Sequence, residues 1–149
     1  SDFIIMANVN EYYEGALDIV GHEFTHGVSH YTAGLVNTKE PGALGESFCD
    51  IFGVLVEEYT EGAVNDWLFG EDHDTLRALH DPKNYGERYI DVNDCGLGLT
   101  TGTPDTYHGE YWHPTDKNCD SYGIHTNCGV QNYWFYLLAH GGSAYLRLG

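Results

Sequence analysis

Apolar residues recur at intervals of three and four in three stretches of the chain, and each set of intervals predicts a helix. Leu17, Val20, Phe24, Val28 and Tyr31 share one face of a first helix over residues 17–31, closed by Gly34. Pro41 suits a first helical position. Leu44, Phe48, Ile51, Phe52, Leu55, Val56 and Tyr59 then give a second helix a wide apolar face before Gly62 stops it. A third helix starts at Thr126 or Asn127, either a good N-cap, and carries Val130, Tyr133, Trp134, Leu137 and Leu138 to Gly141 and Gly142. Residues 3–9 read as one short N-terminal strand. Between the second and third helices lie about sixty residues rich in Gly, Pro, Asp, Asn and Tyr, with only short periodic pieces such as 75–79. A loop that long in a compact domain is functional, or is tied down by metals or disulfides. The expected fold is mainly α, a helix bundle with long irregular loops. No linker or internal repeat divides it.

Composition narrows the class. The 149 residues are 42% hydrophobic and 14% aromatic, which is the profile of a folded chain. Six Lys and Arg stand against 23 Asp and Glu, a formal charge of −17. Nucleic acid and anionic membrane are excluded as first partners, because an anion needs a basic footprint. No apolar run approaches the roughly 20 residues of a membrane span. Residues 3–7 follow no basic segment and precede no small-residue cleavage site, so they do not read as a signal peptide. The acidity is lopsided: residues 1–75 hold 15 acids and one base, residues 76–149 hold 8 acids and 5 bases. An acidic half is either a solvated face or a place for cations.

His22-Glu23-Phe24-Thr25-His26 lies inside the first helix and is the HExxH pattern of zinc peptidases. Residues four apart share a helix face, so both imidazoles reach one tetrahedral zinc while Glu23 leans over the water in the open position. A third ligand is then needed. The metzincin continuation fails, since Ser29 and Thr32 stand where Gly and His are required. His30 is one turn past His26, but three histidines along a straight stripe do not converge on one ion, and His30 reads as a surface or outer residue. Glu46 and Asp50 are four apart on the second helix, within an apolar frame. Glu46 suits a zinc ligand, and Asp50 an acceptor for the far N–H of a ligand histidine.

With Tyr31-Thr32-Ala33-Gly34-Leu35 and Gly42-Ala43 through Glu46 to Asp50-Ile51-Phe52-Gly53, these residues resemble the thermolysin-like neutral metallopeptidases, a gluzincin family. Asp66-Trp67, Gly70-Glu71-Asp72, Leu76-Arg77, Asp81-Pro82, Tyr85-Gly86 and Asp120 through Gly123-Ile124-His125-Thr126-Asn127-Cys128-Gly129 continue the resemblance in the same order. It implies a zincin-like helix bundle and a zinc endopeptidase acting on peptides or proteins through a zinc-activated water. His22, His26 and Glu46 match its zinc ligands, Glu23 its general base and Asp50 the partner of a ligand histidine. His125 matches the histidine that stabilises the tetrahedral intermediate, Asp120 the acid that orients it, and Arg77 the arginine that binds a substrate carbonyl. Asp18, Glu57, Asp66 and Glu71 match carboxylates of a calcium site, where a hard cation offsets their repulsion. Ile19, Phe69 and Leu76 match or adjoin the apolar primed-side pocket; plain core packing is the competing reading.

The chain also departs from the family. Asn37 stands where a tyrosine usually helps hold the oxyanion, and residues 72–76 are too short for a further calcium loop. The family's β-rich lobe before the zinc helix and helical lobe after His125 make this chain read as a single partial catalytic domain over 1–149, with those lobes as its partners. A non-catalytic metal-binding or peptide-binding remnant is the alternative. Cys49, Cys95, Cys119 and Cys128 form no CxxC pair, so no zinc knuckle is expected. A secreted enzyme favours disulfides, and the expected pairing is Cys49 with Cys128 and Cys95 with Cys119.

Overall fold

The computed structural model describes residues 16–62, 66–71, 75–85, 87–91 and 97–141. The strand expected at residues 3–9, together with Cys95, lies outside the described residues. The chain is mainly helical, as its periodicity implies. Helix α1 spans Leu17–Thr32 and α2 spans Lys39–Glu61. Gly62 ends α2 in a left-handed turn, φ 79°, with its N–H returning to the Glu58 carbonyl at 3.0 Å.

The two long helices pack against each other with almost no side chain between their backbones at one level. A Cβ at Gly21 would lie 3.1 Å from the Gly53 Cα and 3.2 Å from the Val56 Cβ. A Cβ at Gly53 would run into the Asp18 carbonyl oxygen and stand 3.3 Å from the Phe69 ring. In the core, Ile51, Val54, Trp67, Phe69 and Leu79 are buried together, and Phe135 and Tyr136 pack against them.

The close approach settles which faces are covered, and it differs from the hydrophobic pattern. On α1 the buried residues are Asp18, Gly21 and His22, whereas Phe24 is 64% and Tyr31 73% exposed, with Val20 and Val28 exposed beside them. On α2, Phe48, Phe52, Val56 and Tyr59 are likewise exposed, while Glu46, Asp50 and Glu57 are buried. Small and polar residues face inward because the helices meet through glycines and through ionisable groups that satisfy one another. The periodicity identifies the helices and misplaces their inner faces.

The long connection holds two antiparallel hairpins. Strands β1 (Leu68–Phe69) and β2 (Arg77–Ala78) pair Leu68 with Ala78 and Phe69 with Arg77. Strands β3 (Glu87–Asp91) and β4 (Leu97–Thr101) pair from Glu87 with Thr101 to Asp91 with Leu97. Helix α3 covers Asp120–Asn127 and α4 covers Gly129–His140. Thr126 and Asn127 do not cap α4, because their side chains are engaged elsewhere. Thr126 Oγ1 donates to Asp120 Oδ2 at 3.3 Å, and the Asn127 amide pairs with both backbone groups of His113 at 2.9 and 3.0 Å. Cys128, in helical conformation, carries the chain straight into α4.

The expected Cys49–Cys128 disulfide is overturned: both are free, buried thiols. Cys49 lies against His22 and His26, while the Cys128 thiol turns back to its own helix and donates to the His125 carbonyl at 3.0 Å. Cys119 is disulfide-bonded.

Candidate metal centre and active site

Helix α1 presents His22 and His26 on consecutive turns towards α2, and their Nε2 atoms lie 3.0 Å apart. Helix α2 brings up Glu46 beneath them. Glu46 Oε2 is 3.5 Å from His22 Nε2, and Oε1 is 3.5 Å from His26 Nε2. Glu46 is only 1% exposed, and its Oε2 has no hydrogen-bond partner. A buried carboxylate oxygen without a donor is costly, and the two imidazole nitrogens facing the carboxylate relieve that cost only when protonated, since neutral they are acceptors. Three acceptor atoms converging at these distances fit a divalent cation with nitrogen and oxygen ligands. Cys49 Sγ also lies within 4.8 Å of both histidines. Glu46 Oε2 is the atom left without a hydrogen-bond partner, so the carboxylate is the better third ligand.

Asp50, fully buried, holds the far side of His22, with His22 Nδ1 2.9 Å from its Oδ1. The ring meets that oxygen at an angle short of a straight hydrogen bond. Burial disfavours the His22 imidazolium, but Asp50 and Glu46 outweigh it and push its pKa up to about 9. Burial likewise works against ionised Asp50, yet Arg77 and His22 hold its carboxyl well below the usual range. Arg77 forks onto it: Nε donates to Oδ2 at 2.6 Å and one terminal nitrogen to Oδ1 at 2.7 Å, while the guanidinium lies 4.8 Å over the Phe69 ring. Two of the three Arg77 nitrogens are thereby committed to Asp50. Glu46 is pulled below its ordinary range, against burial, by His22 and His125.

His125 reaches the same place from α3, with Nε2 3.3 Å from Glu46 Oε2. Its orientation comes from Asp120. Asp120 Oδ1 lies 2.5 Å from His125 Nδ1, and Oδ2 accepts the backbone N–H groups of His125 and Thr126 at 2.9 and 3.0 Å. The backbone makes this wrap with four successive left-handed residues: Asp120, Ser121, Tyr122 and Gly123, at φ 50°, 48°, 71° and 87°. Three of them are not glycine, at a cost of roughly 1–2 kcal/mol each. Gly123 is required here, since a Cβ would come within 2.9 Å of the His113 ring and of the Asn127 amide.

An open groove of about 850 Å³ runs along α1 beside this centre, lined by Glu23, His26, Asn37, Pro41, Gly42 and Gly45 among others. Glu23 and Asn37 therefore share one cavity with His26. His30 is exposed, against Tyr31. Ile19 and Leu76 pack against the core that contains Phe69, so these three have the surroundings of packing residues.

A second acidic cluster joins α1, α2 and the β1 hairpin. One carboxylate oxygen each from Asp18, Glu57 and Glu71 lies within 4.8 Å of the others, with Asp18 and Glu57 buried. Burial, Asp18 and Glu71 push the Glu57 pKa up to about 8, and burial with Asp18 and Asp66 raises Glu71. Asp18 also accepts the Gly70 and Ile19 N–H groups. Asp66 stands outside the tight trio, its carboxylate accepting the Leu68 N–H at 3.1 Å.

A profile of the family described as "Thermolysin metallopeptidase, alpha-helical domain" matches residues 33–148. The chain belongs to the thermolysin metallopeptidase family. Among its thermolysin-like relatives, a bacillolysin of Brevibacillus brevis is 41% identical over 138 residues, 88% of this chain and 21% of that protein. A thermolysin of Alicyclobacillus acidocaldarius subsp. acidocaldarius is 40% identical over 140 residues, 89% of this chain and 22% of that protein. The chain thus spans about a fifth of the length of these relatives. In three dimensions it is similar to the precursor of protealysin, a metalloproteinase from Serratia proteamaculans, with TM-score 0.66 and 32% identity over 87% of this chain and 40% of that one.

Two buried residues of the centre carry no motif: Ser47 and Asn132, which meet each other and Asp50 across α2 and α4. The signal available in the sequence is an amide placed among the apolar residues of the third predicted helix.

Proposed function

We propose that this chain carries the catalytic centre of a zinc-dependent endopeptidase. The observation behind the reading is the convergence of His22, His26 and the Glu46 carboxylate, whose Oε2 has no hydrogen-bond partner. His22, His26 and Glu46 hold the zinc, and Asp50 sets the His22 ring. Zinc, when bound, lowers the pKa of a water towards 7 and polarises a carbonyl. Glu23, at the edge of the groove, takes the proton of the attacking water and passes it to the leaving amine. His125, its Nδ1 fixed by Asp120, directs Nε2 at the carbonyl oxygen where negative charge develops. Arg77 keeps Asp50 ionised and offers its remaining terminal nitrogen to a substrate carbonyl. The groove suits an extended peptide, and such enzymes act outside the cell. No helix among the described residues is long and apolar enough to cross a membrane.

Asp18, Glu57 and Glu71, with Asp66 nearby, hold calcium in the same reading. Two carboxyl groups with raised pKa values beside a buried aspartate are an anion cluster that a hard cation relieves.

The test is zinc content and casein cleavage for the parent and Glu23→Gln. Stoichiometric zinc in both, with cleavage only in the parent, supports the enzyme. Equal background cleavage with zinc bound leaves a metal-binding remnant, and absence of zinc removes both readings.

A further inference from the structure

Asp50 is buried at 0% exposure, and its carboxylate is surrounded. Oδ1 faces His22 Nδ1 at 2.9 Å and an Arg77 terminal nitrogen at 2.7 Å; Oδ2 faces Arg77 Nε at 2.6 Å and Asn132 Nδ2 at 2.9 Å. Asn132, on α4 and 1% exposed, thus supplies the fourth contact to a carboxylate that touches a metal-facing histidine. Its amide has only one workable orientation. An ionised carboxylate cannot donate, so the NH2 must face Asp50, which turns Oδ1 to Ser47. The Ser47 hydroxyl, itself 0% exposed, donates to that oxygen at 2.7 Å. The order Ser47–Asn132–Asp50–His22 joins residues 85 and 82 positions apart in sequence into one buried chain of hydrogen-bonding groups.

We infer that Asn132 is a positioning residue for the metal centre: held by Ser47, it fixes the plane of the Asp50 carboxylate and through it the direction of His22 Nε2. Arg77 alone leaves that plane a degree of freedom. Its two bonds lie along one edge of Asp50, and a fork can rock about that edge. Asn132 approaches Oδ2 from a different helix and removes the rocking, which matters because the His22 contact is already poorly aligned. The inference rests on the zinc reading above and extends it to α4.

The test uses the 149-residue chain loaded with zinc or cobalt. Asn132→Leu keeps the side-chain volume and removes the donor. Its zinc affinity, measured by competition with a chromogenic chelator, is expected to fall about tenfold, the low end for an outer partner of a metal ligand. The visible bands of the cobalt form are expected to shift in position or intensity. Phe135→Leu is the control: it loosens the α4 packing without touching Asp50, so it lowers the thermal midpoint and leaves the cobalt bands alone. Ser47→Ala, a smaller change, covers the case in which Asn132→Leu does not fold, and it is expected to shift the bands the same way by less. A folded Asn132→Leu with parental affinity and bands overturns the inference, as does Ser47→Ala with parental bands. A Phe135→Leu shift equal to that of Asn132→Leu overturns it too, since the effect is then general loosening. A parent that binds neither metal removes the zinc reading itself, and this inference with it.

Discussion

Gly53 lets α2 pass α1 closely enough for Glu46 to meet His22 and His26, and Gly53→Ala isolates that requirement. The added Cβ would overlap the Asp18 carbonyl oxygen and lie 3.1 Å from the carbonyl carbon. Backbone does not rotate away, so the helices must separate. Inserting a methyl into a filled contact costs about 1–3 kcal/mol, and alanine's better helix propensity returns only about 0.5–1 kcal/mol. The net loss is about 0.5–2 kcal/mol, or a thermal midpoint lower by roughly 1–8 °C for a chain of this size. Gly27→Ala is the matched control on α1, where a Cβ would meet nothing within 4 Å. It gains only the propensity term, so its midpoint rises by about 1–4 °C. Metal binding sharpens the contrast. Ligand distances tolerate about 0.2 Å, less than any separation that relieves the Gly53 overlap. Zinc affinity of Gly53→Ala is therefore expected to fall about tenfold or more, with Gly27→Ala near the parent. Scanning calorimetry of the metal-free chains and chelator competition of the loaded ones give the two numbers. Midpoints moving in the same direction for both variants would refute the packing argument. Zinc affinity unchanged in a destabilised Gly53→Ala would refute its link to the metal centre.

Asp50→Asn leaves Arg77 buried without a carboxylate, and a denaturant midpoint should report a loss of about 3–5 kcal/mol. Adding Arg77→Met to it should recover part of that loss; a further fall contradicts the uncompensated-charge account. The acidic cluster makes stability depend on pH when cations are chelated. Glu57 titrates near 8 in the folded chain against an ordinary 4.5, so the folded state holds a proton that the unfolded state gives up. That stabilisation is complete below about 4.5 and is lost as pH rises towards about 8, so the thermal midpoint in chelator should fall over this range. Calcium add-back should flatten the fall, and a midpoint insensitive to both pH and calcium speaks against the site. Asn37→Tyr restores a longer hydrogen-bond donor at the groove that holds Glu23 and His26. If the oxyanion lacks such a group, kcat on a peptide substrate rises by up to about 10²–10³, with little change in KM.

The residues that converge at the candidate centre were legible because their placement is carried by local spacing. His22 and His26 are four apart on one helix, as are Glu46 and Asp50, and helix geometry alone sends each pair to one side. Asp120 and His125 are close enough in sequence to suggest a partnership, although nothing in the sequence announces the left-handed turn that creates it. Ser47 and Asn132 were not legible, since a single serine and a single amide far apart in the chain acquire meaning only when α4 lies beside α2. The faces of α1 and α2 were misjudged for a related reason. Hydrophobic periodicity assumes that apolar residues face the core, but here glycines and paired ionisable groups make the contact. The β1–β2 hairpin escaped because two-residue strands such as Leu68–Phe69 have no period to detect. The Cys49–Cys128 pairing failed because proximity to one site does not give two thiols a common direction.

The exposed apolar side chains of α1 and α2 have a colloidal consequence. Phe24 and Tyr31 on α1 and Phe52 and Tyr59 on α2 expose apolar area through which two copies of this chain can associate, and a net charge of −17 on each copy opposes that contact. This repulsion reaches about 10 Å in 0.1 M salt and only about 3 Å at 1 M, while the attraction between apolar faces does not weaken with salt. Every divalent ion bound also takes two charges from the total. Cations held in the proposed sites would therefore work in opposite directions: they would relieve repulsion inside one molecule, and by lowering the net charge they would weaken the force that keeps one molecule from the next.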